Sequence, residues 1–252
     1  GVCANLIESP ASPERAGDPG DLALVFGARG GLGSALRDRL RGSARYAQVL
    51  AGGRGGTADM VIDITDESSI ESAATQVAER LHQGSILRLV IDATGFLHGR
   101  GFEPEKSLRQ IDAAHMAHAF AINAIGPALL MKHFLPLLPR SGRSVFATLS
   151  AKVGSIGDNN LGGWYSYRAS KAALNQLVRT AAIELSRRQP QAICVTLHPG
   201  TVATPLSLPF AKSGLQVQAP DLAAQRLLAV IDALTAEDSG GFFNHQGERL
   251  PW

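Results

Sequence analysis

Leu22-Ala23-Leu24-Val25-Phe26-Gly27-Ala28-Arg29-Gly30-Gly31-Leu32-Gly33 is the stretch on which the fold turns. Five consecutive apolar residues read as a strand buried on both faces, the usual state of a parallel strand. The chain then enters a glycine-rich turn, and Ser34 to Leu40 continues as a helix. Strand, glycine turn and helix in that order form a dinucleotide-binding turn. The glycines permit a tight bend and close backbone approach, and the helix N-terminus presents free amides to a pyrophosphate. The spacing is Gly27-x-x-x-Gly31-x-Gly33, and no lysine follows the last glycine, which separates the turn from a Walker A loop.

Outward from this stretch, short apolar runs alternate with longer amphipathic ones. Strands are expected at Tyr46 to Ala51, Met60 to Ile64, Leu87 to Ile91, Ser144 to Leu149, Ile193 to Leu197 and Gly241 to Phe243. Helices are expected from the Thr65-Asp66 cap to about Leu81, from Tyr165 to about Arg188, and from Asp221 to Leu234. A long apolar helix, His115 to Leu138, is expected to break near Gly126-Pro127. Such alternation gives an α/β fold: a doubly wound, Rossmann-type parallel sheet in three layers, forming one domain over residues 21–252. Residues 1–20, rich in Gly and Pro, read as a flexible leader, without the basic and apolar regions of a secretory signal.

Composition narrows the function. Of 252 residues, 45% are hydrophobic and 18% charged, enough apolar material for a large core. The net charge of +2 and the lack of a long basic run give no footprint for nucleic acid. Apolar runs are broken by charge, His or Pro short of about 18 residues, so no membrane span is expected. Two cysteines, Cys3 and Cys194, are too few for a disulfide framework and suit a reduced, cytoplasmic setting. Glycine accounts for 27 residues, above the average of about 7%.

Three further features carry chemistry. At the end of the second strand, Gly52-Gly53-Arg54 stands where an NAD-binding chain has a carboxylate for the ribose. Arg54 and Arg29 suit a 2′-phosphate, which favours NADP(H) over NAD(H); the competing reading is two solvated surface arginines. Asp63 is either an acceptor for the adenine amino group or a plain turn residue. Most telling is Tyr167-Arg168-Ala169-Ser170-Lys171, where Tyr167 and Lys171 share one helical face. An ammonium beside a phenol favours phenolate, and a lowering by roughly 3 pH units requires about 4 kcal/mol. His115 and His118 are helically spaced, but nothing nearby completes a metal set, and none is expected. The helix from Tyr165 carries apolar groups on more than one face (Leu174, Val178 and Leu185 against Ala169, Ala173 and Leu177), which permits a homodimer or homotetramer.

Together these stretches make residues 21–252 resemble the short-chain dehydrogenase/reductase family. The Gly27-Gly31-Gly33 turn, Asp92-Ala93-Thr94-Gly95, Asn123, Tyr167-x-x-x-Lys171 and His198-Pro199-Gly200-Thr201-Val202-Ala203-Thr204 carry the likeness. The ending Gly241 to Trp252 is similar to the C-factor and sniffer-type carbonyl reductase branch. The resemblance implies hydride transfer between NADP(H) and a carbonyl or alcohol. Tyr167 would be the proton donor and Lys171 its tuner, also bonded to the nicotinamide ribose. Asn123 would break helical bonding locally and hold a relay water. The cofactor would contact Gly27, Arg29, Gly30, Gly31, Leu32 and Gly33 at the turn, and Arg54, Asp63 and Ile64 at the adenosine. Ala93, Thr94 and Gly95 would follow it toward Tyr167 and Lys171. Pro199, Gly200, Val202 and Thr204 would shape the nicotinamide pocket.

Two departures stand out. The family's usual amides are replaced at Asp92-Ala93-Thr94-Gly95, which unsettles the local loop bonding. The family serine stands three residues before a glycine, and counting back from Gly154 gives Ala151. Ser150 is expected to serve if the strand end bends; Ser155 and a site without that hydroxyl are the alternatives. Pro205 to Phe210 and Trp164 point to an apolar small-molecule substrate, or to a loop packed on its own domain. The C-factor likeness also implies an alternative function as a non-catalytic dinucleotide-binding signalling protein.

Overall fold

Apolar runs become the strands of a single parallel sheet in the computed structural model, which describes residues 20–202 and 217–252. The strands are β1 (Asp21–Phe26), β2 (Gln48–Gly53), β3 (Met60–Val61), β4 (Ile86–Asp92), β5 (Ser144–Leu149), β6 (Ala192–His198) and β7 (Phe242–Asn244). Their order across the sheet is β3-β2-β1-β4-β5-β6-β7. The chain reverses its direction of travel between β1 and β4, which opens a crevice at their carboxyl ends, where open parallel sheets bind ligands.

Helices cover both faces. α1 (Gly31–Gly42) and α6 (Pro220–Ala233) lie on one side, where Leu36 and Leu227 pack with Val25, Ile91 and Val195. α2 (Glu67–His82), α4 (Gly126–Phe134) and α5 (Tyr165–Arg188) lie on the other, where Ile70, Phe134, Leu174 and Val178 pack with Phe26, Val90 and Phe146. α5 keeps Leu174, Val178 and Leu185 inward, while Ile183 remains exposed. The doubly wound architecture expected from strand-helix alternation is the one found.

Three local differences have physical causes. β2 extends through Gly52 and Gly53, beyond the apolar run, because these residues pair with Met60 and Val61 of β3; residue 52 is glycine because a Cβ there would stand 2.5 Å from Phe26 Cδ1. β3 ends at Val61, since Asp63, Thr65 and Ser69 turn the chain through side-chain bonds. The apolar helix does not break at Gly126-Pro127. It runs on from α3 (Ala113–Phe120) through a π-helical turn at Ala121–Ile125 into α4, and Pro127, which has no amide hydrogen to donate, sits directly after that irregular turn. The whole run, Ala113–Leu137, is long and apolar enough by composition to cross a membrane. Its Leu130, Met131 and Phe134 are buried in the core beneath the sheet, so here it is a core helix.

Leu174→Ala removes a side chain that is fully buried between α5 and the sheet. The cost is about 3 kcal/mol, read as a lower urea midpoint with an unchanged m-value.

Candidate active site

The glycine turn is set by contact. Gly27 has φ +76°, and a Cβ there would stand 2.7 Å from the Ala93 carbonyl carbon. A Cβ on Gly33 would reach 2.0 Å from the Gly27 carbonyl oxygen. Gly30 caps α1 with extended backbone and no side-chain cap, leaving the first amides of the helix open. Leu32 is buried and anchors the turn in the core.

The adenosine side differs from expectation. The Arg54 guanidinium lies 3.1 Å from Asp63. Asp63 Oδ1 also accepts from the Thr65 amide and hydroxyl, which hold its carboxyl below the usual range. Arg29 donates to the Arg54 carbonyl at 2.9 Å. Beside Gly53, a pocket is lined by Arg29, Arg37, Ser34 and Thr57. Arg37, whose guanidinium lies 3.0 Å from Asp38, lines this pocket with Arg29, and Arg54 stands just outside its lining. The sequence carries the signal in its spacing, since Arg37 stands one turn after Gly33 on α1.

At the carboxyl ends of β4 and β5 the reactive groups converge. Lys171 is 3% exposed, and its Nζ donates to the Leu149 carbonyl at 3.0 Å. The same ammonium lies 5.8 Å from the centre of the Tyr167 ring. Gly95 lies beside both groups: a Cβ there would stand 3.7 Å from Lys171 Nζ and 3.8 Å from Asn123 Oδ1, at ordinary contact distance. The π turn carries Asn123 inward. Its side chain accepts from the Phe96 amide and donates to the Phe96 carbonyl, both at 2.8 Å, and donates to Ser170 Oγ at 3.0 Å.

Burial governs the titrations. It pushes the Tyr167 phenol up to about 12 and the Lys171 ammonium down to about 8, with Asp92 partly restoring the latter. The lowering of the phenol expected from Lys171 is therefore not present: loss of water outweighs an ammonium that itself bonds to Leu149. Asp92 is fully buried, and burial raises its carboxyl. It accepts from the Thr94 amide and hydroxyl at 3.0 and 2.6 Å and from the Thr148 hydroxyl at 2.8 Å. These bonds supply the loop order whose source was in doubt when the family's amides were missing. Sequence reading assigned Asp92 no role, because Thr148 lies 56 residues away.

The Ser150 hydroxyl bonds Asn175 Oδ1 on α5 at 2.8 Å, and no hydrogen bond joins it to Tyr167. Ser150 is buried, and the next residue, Ala151, has extended backbone (φ −144°, ψ 145°). Ser155 donates to the Trp252 carbonyl instead.

On the nicotinamide side, Gly200 has φ +77°, and a Cβ there would meet Gln218 Nε2 at 2.4 Å. Gln218 donates to the Pro199 carbonyl and accepts from Arg226 of α6, and its backbone bridges Val202. His198 Nδ1 accepts from the Lys152 amide, and burial holds its pKa down at about 4. Thr204 and the stretch Pro205 to Phe210 lie outside the described residues, as does Cys3. A cleft at Trp164, whose ring meets Tyr167 edge-on at 6.1 Å, is lined also by Glu103, Pro104, Lys106 and Gln110. His115 and His118 belong to an aromatic cluster: His115 stacks on Phe102 at 4.9 Å and His118 meets Phe96 at 4.4 Å.

Comparison with known proteins agrees with this geometry. Residues 28–229 match the family described as enoyl-(acyl carrier protein) reductase. The chain is 32% identical over 236 residues to a 1-hydroxy-2-glutathionyl-2-methyl-3-butene dehydrogenase of Rhodococcus sp. (strain AD45), covering 91% of this chain and 98% of that protein. It is 40% identical over 146 residues to the C-signal of Myxococcus xanthus, covering 58% and 84%. Among solved structures, an NADPH-bound carbonyl reductase from chicken fatty liver superposes with a TM-score of 0.79 at 28% identity, over 92% of this chain and 94% of that one.

Proposed function

The chain belongs to the short-chain dehydrogenase/reductase family, as an NAD(P)-dependent oxidoreductase, and from that premise we propose that it interconverts a carbonyl and an alcohol with NADP(H), Tyr167 supplying the proton. The observation that carries this reading is the buried Lys171 ammonium, 5.8 Å from the centre of the Tyr167 ring and beside Gly95.

The described residues fit such a cofactor. The open amides of α1 after Gly30 and Gly31 suit a pyrophosphate. Arg29 and Arg37, with Ser34 and Thr57, suit a 2′-phosphate, which supports NADP(H) over NAD(H). Asp63 and Ile64 flank the adenosine, and Ala93, Thr94 and Gly95 lead to Lys171. Pro199, Gly200 and Val202 form the far wall. When bound, the cofactor supplies the hydride.

The chain's own residues manage the proton. Tyr167, with its phenol pushed up to about 12, is protonated at neutral pH and stands ready to donate to a carbonyl oxygen. Lys171 stays largely charged below about 8 and stabilises the negative charge left on Tyr167. Asn123 and Asp92 hold the loop beneath both groups. Ser150, bonded to Asn175, acts by seating α5 on β5. The cleft at Trp164 suits a substrate with an apolar carbonyl end and a polar end toward Glu103 and Lys106. The likeness to C-signal supports a second reading, a dinucleotide-binding signalling protein; NADPH binding without turnover on a broad carbonyl panel would favour it.

Tyr167→Phe abolishes NADPH oxidation on that panel and leaves the NADPH dissociation constant within about twofold of wild type, whereas Ser150→Ala loses less than about tenfold. Equal turnover in Tyr167→Phe rules the mechanism out. Arg37→Ala weakens NADPH about tenfold or more and leaves NADH unchanged, measured by fluorescence titration. In a pH series, kcat/KM for reduction declines as pH rises through about 8, where Lys171 loses its proton; a profile flat to pH 9 contradicts the assignment.

A further inference from the structure

Glu105 is a carboxylate with 1% exposure, in the loop between β4 and α3, and the chemistry above makes no use of it. Its Oε2 accepts from the Ser166 amide at 3.1 Å and from the Ser166 hydroxyl, and its Oε1 lies 3.3 Å from the same amide. Its backbone carbonyl accepts from the Trp164 amide at 2.6 Å. Ser166 immediately precedes Tyr167, in the first turn of α5.

That turn has no cap of its own. Trp164, at the capping position, is left-handed with φ +53° and gives no side-chain bond to the helix. The first amides of a helix lack internal partners, and its N-terminus favours a negative charge. For the Ser166 amide the partner, and for the helix end the acid, is a residue 61 positions away in sequence. The same loop is tied again to α5 through Phe96, Asn123 and Ser170. Tyr167 therefore lies between two anchors on one loop. Glu105 also stands between Pro104 and Lys106, which wall the cleft at Trp164. Its side chain points away from that cleft into the helix end, and His115 Nδ1 lies 3.9 Å from it.

We propose that Glu105 is the positioning residue of Tyr167: a cap donated by the loop that fixes the first turn of α5 and so the place of the phenol. Its effect on turnover rests on the reductase reading, but its effect on the helix end does not. The test compares wild type, Glu105→Ala and Glu105→Gln by peptide-resolved hydrogen exchange and by steady-state kinetics. In Glu105→Ala, exchange over residues 165–168 rises about tenfold or more, while the centre of α5 keeps its protection. kcat falls about 10- to 100-fold, since small displacements of a reacting group are costly, and the NADPH dissociation constant and KM stay within about threefold. Glu105→Gln keeps an acceptor oxygen and restores most of kcat. Should Glu105→Ala fail to fold, Ser166→Ala, which removes only the hydroxyl donor, raises exchange in the same turn by a smaller factor. Unchanged exchange in that turn, or wild-type kcat in a folded Glu105→Ala, overturns the proposal. A wild-type chain that reduces no carbonyl sinks the reductase reading instead, and the exchange comparison still decides the cap.

Discussion

A lysine ammonium buried at the carboxyl edge of the sheet is the constraint around which the rest is arranged. Taking such a charge out of water is expensive unless partners replace the lost hydration. The partners of Lys171 come from two strands, and its own helix, α5, carries it inward. β5 ends by turning the Leu149 carbonyl toward it, and β4 ends in the carboxylate of Asp92. The close approach of α5 has its own requirement. A Cβ on Gly154 would stand 2.8 Å from Lys171 Cβ, so the loop after β5 passes the helix only because that residue is glycine.

The second arrangement follows from the first. Once Lys171 occupies the end of the sheet, the loop after β4 must pass beside it without filling the space. That loop passes Lys171 at Gly95, and Asn123 fastens the next residue, Phe96, by both backbone groups. A regular α-helix would not bring Asn123 to the required place while keeping Leu130 and Phe134 in the core. The π turn at Ala121–Ile125 shifts the phase between the two halves of the helix. The departure from ideal geometry therefore lies where the site is assembled.

Features readable along the chain were those whose cause is local. The run Leu22 to Phe26, the glycine spacing and the four-residue step from Tyr167 to Lys171 each state their geometry in sequence. Features whose cause lies far along the chain were not legible. Glu105 and Asp92 look like ordinary loop and strand-end acids, and their partners stand 61 and 56 residues away. Arg54 was legible beside Gly53, whereas its bond to Asp63, and the reach of Arg37 to the pocket by helix phase, were not. The direction of Ser150 was not legible either, because its partner Asn175 lies 25 residues on, in α5.

Burial also imposes a relation between the two central groups that neither residue carries alone. It opposes charge on both, raising the phenol and lowering the ammonium. Each is therefore a reluctant ion by itself, but a phenolate and an ammonium formed side by side satisfy each other in a medium where their attraction is strong. In the proposed reaction a proton leaving Tyr167 produces that pair, so the negative charge appears where a positive one is already fixed. The same dry surroundings that make phenolate costly in the resting protein make the pair favourable during transfer. Placement of the ring relative to Lys171 thus matters more than the intrinsic acidity of either group. That is why the bonds that hold the first turn of α5 bear on the chemistry although none of them touches the phenol.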